Sequence, residues 1–98
     1  MAGKGTLDRA RAEALAAGAL AWLAADDERL MAFLAHTGAD AADLRARLAD
    51  AEFLGFVLDH LLSDEAMVMQ FCAAAGLRPD EPMRARAALP GGDVPNWT

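Results

Sequence analysis

The 98-residue sequence predicts an all-α protein, a compact bundle of five or six short helices. Ala supplies 25 of the residues. It is the strongest helix former, and Leu, Arg, Met and Glu follow closely. The residues that favour strands are scarce, with no Tyr and little Val, Ile or Thr. Third, the chain states one pattern twice. Asp27-Glu28, Phe33, Gly38 and Arg45-Ala46-Arg47 recur as Asp64-Glu65, Phe71, Gly76 and Arg84-Ala85-Arg86, at offsets of 37, 38 and 39 residues. Each one-residue drift falls at a turn or a helix end. The reading is two three-helix units around a single core, with residues 6–48 and 51–89 as the halves of an internal repeat.

Residues 1–5 read as a disordered start. Thr6 or Asp8 can cap the first helix, which the pattern carries to about Ala25. Asp26 and Asp27 interrupt it, and a carboxylate there accepts the free N–H groups of a new first turn. The second helix shows Leu30, Phe33 and Leu34 on one face. Gly38 ends it in the left-handed conformation. Asp40 opens a short third helix striped with Leu44 and Leu48, and Asp43 stands as a shortened reciprocal cap.

Asp50 opens the fourth helix, from about Ala51 to Leu62. Ser63 is read as the cap of the fifth, and Gly76 as its stop. Pro79 or Pro82 starts the sixth, which ends at Pro90-Gly91-Gly92. Residues 90–98 are too rich in helix breakers to continue it. The first and fourth helices are apolar nearly all round and read as the central pair. Gly18 and Gly55 hold matched positions, so these two helices are expected to cross there. Trp22 is expected in the core.

Composition removes several functions. Net charge is −6, with one Lys and eight scattered Arg, so no nucleic acid is expected as a partner. No apolar run approaches the ~20 residues of a membrane span. A basic start before Ala14–Ala25 imitates a secretory leader, but Asp8 and Glu13 interrupt it, and a core helix is the better reading. A single cysteine excludes an internal disulfide and fits a reducing, cytoplasmic compartment.

No residue is assigned a catalytic, cofactor-binding or metal-binding role. Cys72 could be a nucleophile, but it lies within the fifth helix beside Phe71, on a face shared with Val68 and Ala75, and reads as a small buried hydrophobe. His36 and His60 each stand near a helix end, where a cation meets free carbonyls, and their spacing is not that of a metal pair. The acidic groups Asp26-Asp27-Glu28 and Asp64-Glu65 read as helix-start charges. Arg45/Arg47 and Arg84/Arg86 read as solvated ridges paired with nearby acids.

The interaction candidates are Met67, Met69 and Trp97. Met67 and Met69 are two apart on a helix and cannot share one face. Trp97 sits in the tail, where a large apolar ring must dock either on its own chain or on another.

The ordered series Glu13-Ala14-Leu15, Ala21-Trp22-Leu23, Phe33-Leu34, Thr37-Gly38, Asp43-Leu44-Arg45, Phe53-Leu54, Val57-Leu58, Asp64-Glu65, Phe71-Cys72, Gly76-Leu77 and Asn96-Trp97-Thr98 resembles a family of small bacterial proteins catalogued as a domain of unknown function. The likeness covers nearly the whole chain. It implies a free-standing bacterial protein and transfers no functional residue. Relatives of this type often carry an acid before the Pro that opens the last helix; here Arg78 holds that place.

The functional expectation is a non-catalytic protein–protein interaction module or small adaptor, without cofactor, whose partner is an unknown protein or a second copy. One alternative is a small-molecule-binding helical domain with an apolar Met/Phe pocket. The other is an enzyme built on Cys72, His36, His60 and Asp59.

Overall fold

Aspartates and glycines place the helix boundaries. The computed structural model describes residues 8–90, which form five α-helices and one 3-10 turn. Asp8 caps α1 (Arg9–Ala24), its carboxylate accepting the Arg11 N–H at 2.8 Å. Asp26 caps α2 (Asp27–Thr37) by accepting from the Glu28 and Arg29 N–H groups. Asp50 does the same for α3 (Ala51–Leu62), and Asp64 for α4 (Glu65–Ala75). Each such cap contributes about 1 kcal/mol. Gly38 and Gly76 close α2 and α4 at φ 76° and 71°, where any side chain would be strained.

Ser63 was the sequence-based cap of the helix after Leu62, and the structure gives that place to Asp64. The Ser63 hydroxyl turns back and donates to the His60 carbonyl at 2.6 Å, satisfying the end of α3 instead. Pro82 sits in the first turn of α5 (Glu81–Ala87), where its missing N–H costs nothing. Glu81 reaches back to accept the Arg78 N–H at 2.8 Å, which supports the start of α5 despite the basic residue there.

The short third helix expected after Asp40 is a 3-10 turn, Ala41–Asp43, followed by further turns to Ala49. Asp40 makes no capping bond with its side chain. Leu44 is only half-buried and Leu48 is exposed, so this segment has no apolar stripe able to hold a helix against the body.

α3 touches all four other helices, and α1 lies against α2, α3 and α5. These two are the central pair. The core gathers Leu23, Phe33, Phe53, Leu54, Val57, Leu58 and Leu61. Phe33 sets its ring edge-on to Phe53 at 6.0 Å. The small side chains of Ala12, Ala16 and Ala19 are fully buried and let α1 come close to its neighbours.

The expected crossing of the two central helices at Gly18 and Gly55 is overturned. Gly18 lies on the solvent face, and a Cβ built there meets nothing within 4 Å. Gly55 is buried for a different reason. A Cβ there would come within 2.9 Å of the Arg86 guanidinium, which lies across α3. Arg86 grips Asp59 with two bonds, of 2.6 and 3.2 Å, and donates a third to the Pro90 carbonyl at 3.0 Å. Gly55, Asp59 and Arg86 thus fasten α5 onto α3.

Candidate functional site

α4 packs on α3 rather than on α1, and an open groove of about 620 Å³ remains between α1 and α4. Its lining is mainly apolar. Trp22, Leu15, Phe71 and Leu77 supply the large surfaces, while Gly18 and Ala74 leave room. Arg11 and Glu81 add one charge of each sign. The stripe that makes α1 compatible with a close neighbour on this side is Ala14, Gly18 and Ala21, all exposed. Exposed glycine at the centre of a helix costs about 1 kcal/mol against Ala, and here it leaves the groove unobstructed.

Trp22 is half-buried rather than enclosed in the core. Its ring tilts against Phe71 at 5.6 Å between centroids. The Arg29 guanidinium lies 3.9 Å from the Trp22 ring centre, and Arg29 also reaches the Gln70 amide oxygen at 3.3 Å. Arg29 therefore ties α2 to Trp22 on α1 and to Gln70 on α4. A cation over an indole ring contributes roughly 0.5–1 kcal/mol at a partly exposed site.

The two histidines, read from the sequence as separate helix-end residues, meet. His36, on the last turn of α2, and His60, on α3, place their Nδ1 atoms 2.8 Å apart. His60 is buried and stands edge-on to Phe33 at 5.3 Å; His36 is exposed. Two Nδ1 atoms this close share one hydrogen. The His60 Nε2 is buried with no partner. A bare lone pair is tolerated there better than an orphaned N–H, so the hydrogen belongs on His60 Nδ1, which donates to His36 Nδ1. His60 is held below the ordinary histidine value by burial, then by His36, with Asp64 opposing.

Metal ligation fits this pair poorly. With both Nδ1 atoms on a metal, His60 would carry its hydrogen on Nε2, with no acceptor to orient it. No three His, Cys, Asp or Glu side chains converge as ligands among the described residues.

Cys72 is buried with Val68 and Phe71, whereas Ala75, placed on the same face by the sequence, is exposed. Burial raises the thiol above its ordinary value, and Glu81 and Asp80 add to the effect. Its sulfur contacts the Arg78 carbonyl at 3.5 Å. The groups acting on Cys72 are thus carboxylates, not the histidines. The two acidic groups divide as expected, with Asp26 and Asp64 capping and Asp27, Glu28 and Glu65 in the first turns.

Of the interaction candidates, Met69 is 50 % exposed, and Met67 is half-buried against the core. Neither lines the groove. Trp97 lies outside the described residues. Of the basic ridges, Arg84 pairs with Asp80, Arg45 is exposed, and Arg47 stands over the Phe53 ring at 5.2 Å. Arg86 departs from the ridge reading: its side chain is 15 % exposed, and its acid is far away in sequence.

The fold and its groove define an all-α helical bundle with a helix-lined apolar cleft between α1 and α4. The family model described as "Protein of unknown function (DUF3572)" matches residues 9–92, and the chain belongs to that family. No curated protein and no solved structure matches the chain. No helix among the described residues is long and apolar enough to cross a membrane.

Proposed function

We propose that the protein is a non-catalytic interaction module whose α1–α4 groove receives an apolar helix of a partner protein. The carrying observation is the Trp22–Phe71 pair, two touching aromatic rings lining an open cleft of about 620 Å³. Helix-in-groove recognition needs an apolar trough with large anchoring surfaces and small residues where the incoming backbone passes. Trp22 and Phe71 offer the anchors, and Gly18 and Ala74 the room. An acid near Arg11 and a base near Glu81 on the incoming helix would fix its direction. Net charge of −6 favours a protein over a nucleic acid. The sequence resemblance and the lone cysteine support a bacterial, cytoplasmic setting.

Two other readings have less support. A small-molecule site encloses most of its ligand, whereas this groove is open and no methionine among the described residues lines it. An enzyme on Cys72, His36, His60 and Asp59 lacks a thiol activated by a cation.

Gly18→Arg provides the test. The site is exposed and a side chain meets no neighbour there, so the fold should persist while the trough is filled. A photocrosslinking residue at Ala74 in the native host should yield a defined adduct that Gly18→Arg abolishes. An adduct indifferent to Gly18→Arg, or none above that from a crosslinker at Leu48, would refute the groove. An adduct of two copies would identify the chain as its own partner.

A further inference from the structure

Among the described residues, the His36–His60 contact is where two titratable side chains from different helices depend on a single hydrogen. Both nitrogens lie at the seam between α2 and α3, 2.8 Å apart. We propose that the pair is a proton-operated clasp between these helices, closed when both rings are neutral and opened by the uptake of one proton, which frees the last turn of α2.

The geometry leaves an incoming proton no comfortable place. On His36 Nδ1 it sets two N–H groups against each other across the 2.8 Å gap. On His60 Nε2 it creates a buried cation with no acceptor. If His60 instead becomes the acceptor for a charged His36, its own hydrogen moves to the same orphaned Nε2. The least costly response is for the exposed His36 ring to swing into water. That removes a link between α2 and α3 and leaves the His60 N–H unpaired.

The charged groups around the clasp do not supply an alternative partner. Asp64, at the head of α4, favours the charged form of His60 but is the smallest of its influences, and its carboxylate already caps α4. Asp59, on α3, lines the small cleft beside His36, but Arg86 of α5 holds both of its oxygens. Thr37, next to His36, donates its hydroxyl to the Phe33 carbonyl at 2.8 Å and receives the Ala39 N–H. These bonds are local to the end of α2 and do not replace the lost attachment to α3, so the last turn frays more readily once the clasp opens.

The chain has two histidines, so its imidazole nitrogens can be followed by NMR in the unaltered protein from about pH 8 to about pH 5. The proposal expects His60 to carry its hydrogen on Nδ1 at neutral pH, and to titrate below the ordinary value of 6.5. Amide exchange over Phe33–Thr37, relative to Val68–Cys72 on α4, should rise by up to about tenfold per pH unit below that value. His36→Gln retains an acceptor that does not titrate, and should abolish this rise. Two rings titrating independently near 6.5, or an exchange ratio with the same pH dependence in His36→Gln, would overturn the clasp.

Discussion

Removing the Arg86–Asp59 link should destabilise the protein by an amount that can be worked out from its geometry. Arg86 makes two bonds to Asp59 and one to the Pro90 carbonyl. Its own side chain is largely shielded, whereas the Asp59 carboxylate is 52 % exposed, so water can resolvate the acid once the partner is gone. A bidentate pair of this kind, partly screened, contributes about 1–2 kcal/mol. The Pro90 bond adds about 1 kcal/mol. Arg86→Met, which keeps the apolar stem, should therefore cost about 2–3 kcal/mol. Asp59→Asn should cost about 1–2 kcal/mol. Urea unfolding followed by circular dichroism gives both values, and the double variant gives their coupling. The coupling should be about 1 kcal/mol or more and should shrink in high salt. A coupling near zero, with an unchanged denaturant slope, would show that α5 is held by Ala85 and Leu89 packing alone, and the reasoning from the ion pair would fail.

Phe33→Ala should be more damaging than either of these changes, at about 3–5 kcal/mol, because the ring is fully buried against Phe53 and His60; a loss below about 1 kcal/mol in the same urea assay would contradict that packing. Trp22→Ala should cost less, about 2 kcal/mol, since the indole is half-buried. Thermal unfolding distinguishes the two sites, a full core-sized loss at Trp22 being the wrong result. Stability should also fall in mild acid. His60 is held below 6.5 in the folded protein, so the unfolded chain binds the proton first. The contribution of the neutral pair is in place above 6.5 and is lost as pH drops toward the folded midpoint; a urea midpoint flat across that window would be inconsistent. Cys72 should react slowly with a thiol reagent in native buffer and quickly in denaturant, because burial raises its pKa. Equal rates in the two conditions would place the thiol at the surface.

The helix boundaries were legible because their causes are local. Asp8, Asp26 and Asp50 each sit just ahead of the helix they cap, and Gly38 and Gly76 lie where left-handed stops are needed. The Ser63 assignment failed on a one-residue choice between two competent caps: the carboxylate took the free N–H groups, and the hydroxyl served the preceding helix. The segment after Asp40 is rich in helix formers but carries too little apolar surface to be held against the body, and packing overrode propensity. The features that matter most to the site were hidden because their partners are far apart in sequence. His36 and His60 are on different helices, and no periodicity announces that their rings will meet. Gly55 carried a visible signal, a glycine inside a helix, but its matched position with Gly18 pointed to a helix crossing. Its true neighbour, Arg86, had looked like one member of a solvated ridge. The groove between α1 and α4 had a partial signature in Ala14, Gly18 and Ala21, which make one side of α1 small rather than merely apolar.

The position of α1 between α3 and α5 has a consequence for biosynthesis. This helix leaves the ribosome before α3 and α5, so much of the surface that shelters Ala12, Ala16 and Leu23 belongs to segments translated later. A nascent chain that has reached only Asp50 would display its alanine ridge and Leu23 to water without their long-range cover. Until α3 and α5 follow, the emerging helix lacks this cover and is a client for whatever binds exposed apolar surface.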